Sequence, residues 1–175
     1  DTQGSIGYQL AQTLGNALTA KGLKKDIVAM VTQVVVSEDD PSFARPSKPV
    51  GSFYTESEAR GYEANCGWTL TEDAGRGWRR VVPSPAPLEI IELSTIRNLI
   101  NQGVLVIAGG GGGIPVLRLA SGELTGCGAV VDKDLATSLL AHELQADLFV
   151  ISTAVDKVAV DFGKPQQRGI DQMTV

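Results

Sequence analysis

The residues best suited to chemistry in this sequence all suit an anion. Gly109-Gly110-Gly111-Gly112-Gly113 stands between Val104-Leu105-Val106-Ile107 and Ile114-Pro115-Val116. Glycines directly after a buried-strand pattern set bare backbone at the carboxyl edge of a sheet, where amide N–H groups approach phosphate closely. A flexible linker is the alternative, but linkers have polar borders and both flanks here read as core. Asp132-Lys133-Asp134 opens a helical pattern. Aspartate in a first turn caps free N–H groups, whereas lysine there opposes the helix dipole and points to an anionic partner. Lys48 sits between prolines in Pro46-Ser47-Lys48-Pro49-Val50-Gly51, a stiff segment that fixes an ammonium at little entropic cost. Arg79-Arg80 precede Val81-Val82, so an extended chain sends one guanidinium to each face.

These groups need a scaffold, and the hydrophobic spacing supplies one. Ile6, Leu10, Leu14 and Leu18 recur every four residues, predicting an amphipathic helix that ends near Lys21-Gly22 and covers a sheet. Residues 27–36 are almost continuously apolar, interrupted mainly by Thr32 and Gln33, as in a parallel strand buried on both faces. From residue 37 to 85 the texture turns loop-rich. A short helix is expected over residues 56–64, with a small hairpin of residues 68–70 against 78–82. Regular alternation then resumes: a helix over 93–101, a strand over 104–108, the glycine run, and a polar crossing through residues 118–126. A strand over 129–131 leads into a helix over 132–144, and a final strand covers 147–151. The expected architecture is α/β: a three-layer αβα sandwich with a mostly parallel central sheet, formed by residues 1–36 and 86–175, plus a protruding lid subdomain at 37–85.

Composition narrows the function. The chain has 175 residues, is 43% hydrophobic and carries a net charge of -5, so broad nucleic-acid binding, which needs a basic surface, is disfavoured. No apolar run approaches a membrane span. Cys66 and Cys127 lack CxxC spacing and His142 is the single histidine, so neither a zinc site nor a histidine triad is expected and no metal ligand is assigned. The glycine run lacks a following Gly-Lys-Ser/Thr and does not fit G-x-G-x-x-G, because Ile114 takes the last glycine's place. The opening Asp1-Thr2-Gln3-Gly4, without methionine, and the close at Gln172-Met173-Thr174-Val175, without a polar tail, read as an internal piece of a longer protein.

Several segments together resemble carbamate kinase, a branch of the amino acid kinase superfamily. They are residues 32–36, Pro46-Ser47-Lys48-Pro49-Val50-Gly51, residues 73–85 from Asp73-Ala74-Gly75-Arg76-Gly77 to Pro83-Ser84-Pro85, the glycine run with Ile114-Pro115-Val116, Val131-Asp132-Lys133-Asp134-Leu135-Ala136, and Gly163-Lys164-Pro165-Gln166-Gln167. The resemblance implies reversible phosphoryl transfer between ATP and carbamate, giving ADP and carbamoyl phosphate, with Mg2+, in a cytoplasmic homodimer. In organisms that degrade arginine the family usually runs toward ATP. It further implies that Lys133 meets the transferring phosphoryl group, Asp134 organises the active-site lysines and Lys48 closes over the substrate. Gly110, Gly111, Gly112 and Gly113, with Arg79 and Arg80, are then the phosphate contacts. Asp132, Thr153, Val155, Asp156, Val158 and Gly163 fall on the nucleotide side. Other readings within this fold are a different small acceptor, such as acetylglutamate or uridylate, or a nucleotide-binding paralogue without chemistry.

Overall fold

The computed structural model describes residues 2–173, so Asp1, Thr174 and Val175 of the terminal segments lie outside the described residues. Helix α1 (Thr2–Ala20) forms where expected, but its buried line is not the leucine stripe. Gly7 is the buried position, while Ile6, Leu10 and Leu14 are 49%, 50% and 38% exposed. A β-carbon at Gly7 would stand 2.8 Å from that of Ala29, so small residues bring the helix axis against the sheet and turn the bulky ones outward.

The expected strand over residues 27–36 is two strands. β1 (Ile27–Ala29) and β2 (Gln33–Val35) are separated by a break at residues 30–32. The chain then makes an excursion containing α2 (Pro41–Ala44), β3 (Lys48–Tyr54), α3 (Glu56–Cys66), β4 (Leu70–Glu72) and β5 (Trp78–Val82). After it come β6 (Glu89–Ile90), α4 (Leu93–Asn101) and β7 (Leu105–Ile107), then β8 (Ile114–Arg118) and β9 (Leu124–Gly126). α5 (Lys133–Leu144), β10 (Ala159–Val160) and β11 (Arg168–Gly169) complete the order.

β1 runs parallel to β7, and β2 runs parallel to β8. Each partner is therefore interrupted at the same level. Three residues (30–32) bridge the gap on one side and six (108–113), including the glycine run, on the other. The ladder is extended by antiparallel β6 on β2 and β9 on β8. The polar crossing predicted over 118–126 is thus a hairpin, because Leu117 pairs with Thr125 and the turn closes through Gly122. α1 covers the face of Ile27 and Ala29, while α4 and α5 cover the opposite face, where Val34, Val36, Ile90, Ile96, Val131 and Ala136 form the buried core with Val106 against them. The result is a helix–sheet–helix sandwich.

The excursion has its own three-stranded antiparallel sheet, β3-β5-β4. Thr55 caps α3 through a reciprocal capping box with Glu58, and Gly67 in the left-handed region ends it. Tyr54 packs tilted against Tyr62 at 4.9 Å and Tyr62 stacks on Trp68 at 4.7 Å, with the Arg80 guanidinium 4.5 Å above Trp68. Its neck is closed by Asp40, which accepts from the amides of Ser42 (2.8 Å) and Ala86 (3.0 Å), while the Leu88 amide donates to the Val35 carbonyl at 2.9 Å.

Further expectations change. Residues 129–131 form no strand; the Val130 amide reaches across to the Pro83 carbonyl at 2.9 Å. Residues 147–151 form no strand, since an apolar run needs neighbours to complete its backbone bonds. Leu148 and Val150 remain 78% and 71% exposed.

Candidate active site

The glycine run divides into an outward half and a packed half. The Gly109 amide donates to the Thr32 hydroxyl (2.9 Å), the Gly112 amide to the Gly109 carbonyl (2.9 Å) and the Gly113 amide to the Gly110 carbonyl (3.3 Å). The amides of Gly110 and Gly111 have no acceptor among the described residues, and both residues are exposed. Gly112 has φ 105° and is buried against α5: a β-carbon there would drive into the Val131 carbonyl and stand 3.1 Å from the Lys133 amide nitrogen. At Gly113 it would collide with a methyl of Val34. Gly112 and Gly113 therefore seat the loop, and Gly110 and Gly111 offer donors.

Thr32 fixes the loop from beneath. It is 1% exposed, and its hydroxyl donates to the Met30 carbonyl (3.2 Å) while accepting from Gly109. Its backbone is completed by Gln3, whose side-chain oxygen accepts from the Thr32 amide (2.9 Å) and whose side-chain nitrogen donates to the Thr32 carbonyl (3.3 Å). That carbonyl also accepts from the Ile114 amide at 2.8 Å. A side-chain amide thus substitutes for a neighbouring strand at the break. Glu92 does the same for Gln33, taking its amide (2.8 Å) and its side-chain nitrogen (2.9 Å).

α5 starts beside this loop. Asp132 is its N-cap, with Oδ1 accepting from the Leu135 amide at 3.4 Å, so capping is real. Its other oxygen accepts from the Lys48 ammonium at the start of β3, joining the excursion to the core. The Lys48 hydrogen bond is the largest influence holding the Asp132 carboxyl below its ordinary range, against partial burial that pushes the other way. Lys133 is exposed and donates to Asp134 at 2.9 Å; that carboxylate holds its ammonium above the usual lysine range. Among the described residues Lys48 pairs with Asp132 and Lys133 with Asp134, so the lysines are partnered by different aspartates.

The other candidates lie apart. Arg79 and Arg80 do face opposite ways, but each is engaged inside the excursion. Arg79 bonds the Gly51 carbonyl (3.1 Å) and Asp73 (3.5 Å) over Phe53, and Arg80 covers Trp68. Thr153, Val155, Asp156, Val158 and Gly163 belong to a segment closed by β10 on β11, where the Gly163 amide donates to the Gln167 side chain at 2.8 Å. Val155 and Asp156 line an open depression of about 410 Å³ with Ala159 and Phe162. Among the described residues, no hydrogen bond or ion pair ties this segment to the glycine loop. His142 is exposed in the last turn of α5, at the opposite end from Asp132. Among the described residues no group of three His, Cys, Asp or Glu could hold a metal ion. Sequence reasoning did not single out Thr32, Gln3 or Asp40. Two polar residues inside the apolar run 27–36 were the available signal for Thr32.

Comparison with known proteins fits this geometry. The model of the amino acid kinase family matches residues 8–175. The carbamate kinase-like protein YahI of Escherichia coli K12 is 51% identical over 176 residues, covering 100% of this chain and 55% of that protein. The carbamate kinase of Thermococcus kodakarensis is 49% identical over 174 residues, covering 99% of this chain and 55% of the relative. The structure of carbamate kinase from Giardia lamblia bound to AMP-PNP superposes with a TM-score of 0.80 at 48% identity, covering 96% of this chain and 53% of that one. This chain therefore spans about half the length of the relatives it matches. With its whole length similar to carbamate kinases and its glycine loop seated on a lysine-bearing helix start, the chain belongs to the amino acid kinase family.

Proposed function

We propose that this chain carries the phosphoryl-transfer core of a carbamate kinase, moving a phosphoryl group reversibly between ATP and carbamate to give ADP and carbamoyl phosphate. The observation that carries the reading is the pair of amides at Gly110 and Gly111 that have no acceptor among the described residues, on a loop packed against the α5 turn that bears Lys133. Carbamate is already an anion, so its oxygen attacks the γ-phosphorus without a general base and ADP leaves. The obstacle is bringing negative groups together, and backbone donors with ammonium groups meet it. Lys133 neutralises the migrating group and Lys48 enters from the excursion, which acts as a lid over the site. The Asp132 carboxylate binds lysine and helix, leaving it poorly placed to bind nucleotide.

The residues also suit a magnesium ion carried by phosphate oxygens and water rather than by a protein cage, because the described carboxylates here are occupied by lysines. When bound, the ion neutralises phosphate charge. Under this reading the enzyme is a cytoplasmic homodimer whose nucleotide side includes residues 153–163. The test is a coupled assay of the full-length gene product for ATP formation from carbamoyl phosphate and ADP with magnesium. Turnover is expected, and its absence contradicts the proposal.

A further inference from the structure

We propose that Asp132 is the positioning residue that docks the lid, holding the Lys48 ammonium beside the glycine loop while capping α5. The inference rests on the phosphoryl-transfer reading for its kinetic consequence, but its structural part stands independently.

The excursion has its own sheet, a capped helix and an aromatic stack, and it meets the core at its neck, where Phe43 of α2 packs against the buried core. The neck contacts at Asp40, Leu88 and Val130 lie where the chain leaves and returns. Lys48–Asp132 is the side-chain ion pair that links β3 to the start of α5, spanning 84 positions of sequence. The Asp132 backbone lies between Val131, whose carbonyl abuts Gly112, and Lys133, whose amide adjoins it. An ammonium held by Asp132 is therefore held next to the loop. An ammonium has three donors, so after one is given to Asp132 two remain for an incoming anion. Asp132 thereby aims Lys48 without consuming it. Asp134 cannot do this while it faces Lys133.

The experiment compares Asp132→Asn, Lys48→Met and the double variant in the full-length protein. Asparagine still caps a helix, so the first variant removes charge while keeping the helix start. Lys48→Met tests the same pair without touching α5. For ATP formation, D132N is expected to lower kcat about tenfold while KM for ADP stays within about twofold. In the Lys48→Met background the same change is expected to cost nothing further, because the group it positions is gone. D132E, which keeps the charge, is expected to regain part of the rate. An independent arm measures amide hydrogen exchange over Lys48–Tyr54, which should speed up equally in both single variants and no further in the double. An equal cost of D132N in both backgrounds, or unchanged exchange in β3, overturns the proposal. If the wild-type protein makes no ATP, the proposed function fails, and the exchange arm still decides whether Asp132 docks the lid.

Discussion

The glycine loop and the excursion meet at α5, but they are held by opposite means. The loop is fixed by buried short-range contacts: the Thr32 hydroxyl, the Gln3 amide, the Val131 carbonyl and the Val34 methyl leave it one shape. The excursion is ordered internally but tethered by a neck and by Lys48–Asp132, whose side chains are 32% and 27% exposed. A partly exposed ion pair contributes about 1 kcal/mol or less, so it orients the excursion without locking it. The lesson is a division of labour. Under the proposed function, rigid donors wait where charge is to be stabilised, and a weakly docked cation travels with the excursion, the part proposed to open for substrate.

Variants on the two sides should fail differently. The largest effect is expected at Lys133→Ala in the full-length protein, which should lower the rate of ATP formation at least about a hundredfold with little change in melting temperature, because the side chain is exposed and bonds its chain neighbour Asp134. Next, Gly112→Ala should destabilise the protein by roughly 3 kcal/mol in denaturant unfolding, since its φ of 105° and the Val131 carbonyl both oppose a side chain. Gly110→Ala sharpens the contrast. Its φ is not positive and its new β-carbon would meet Gln3 Cγ at 3.2 Å, a contact relieved by a shift of a few tenths of an ångström, so the stability loss should be smaller than at Gly112 while phosphate binding weakens. Equal stability loss at both glycines would erase the distinction between seat and cradle.

Smaller effects follow. Thr32→Val removes the hydroxyl that serves Gly109 and should cost about 1–2 kcal/mol, with Thr32→Ser close to wild type by the same unfolding measurement. Thr55→Ala removes the α3 cap and should cost about 1 kcal/mol, visible as faster hydrogen exchange in α3 but not in the glycine loop. Acid should separate the regions as well. The carboxyls of Asp40 (chiefly through Ser42), Glu58 (Thr55), Asp73 (Arg76) and Asp132 (Lys48) all titrate below their ordinary values. A lowered folded value contributes stability above the unfolded pKa, which is about 4, and loses it as pH falls through the folded value. Acidification below about pH 4 should therefore loosen the excursion and its neck before the glycine loop, whose clamp contains no carboxylate.

Much of this was legible in the sequence, for local reasons. α1 announces itself by its period and α5 by its capping aspartate, and α3, α4 and the hairpin at Trp78 form close to where their residue patterns suggest. What pairing decides was not legible. Residues 27–36 look like one strand because apolar periodicity cannot register a break completed by the distant side chains of Gln3 and Glu92. Residues 147–151 look like a strand because composition does not show whether a neighbour is there. Among site residues, the glycine run and Asp132-Lys133-Asp134 converge as chain order suggests. The Lys48–Asp132 contact crosses 84 positions and no spacing rule reaches it. Arg79 and Arg80 had the right alternation, but aromatic neighbours and Asp73 engage them.

The most direct test of the central claim is amide chemical-shift mapping of the full-length protein on addition of carbamoyl phosphate. The amides of Gly110 and Gly111 should move strongly, and those of Gly109, Gly112 and Gly113, already bonded within the protein, should move less. Shifts confined to other segments, with Gly110 and Gly111 unchanged, would contradict it.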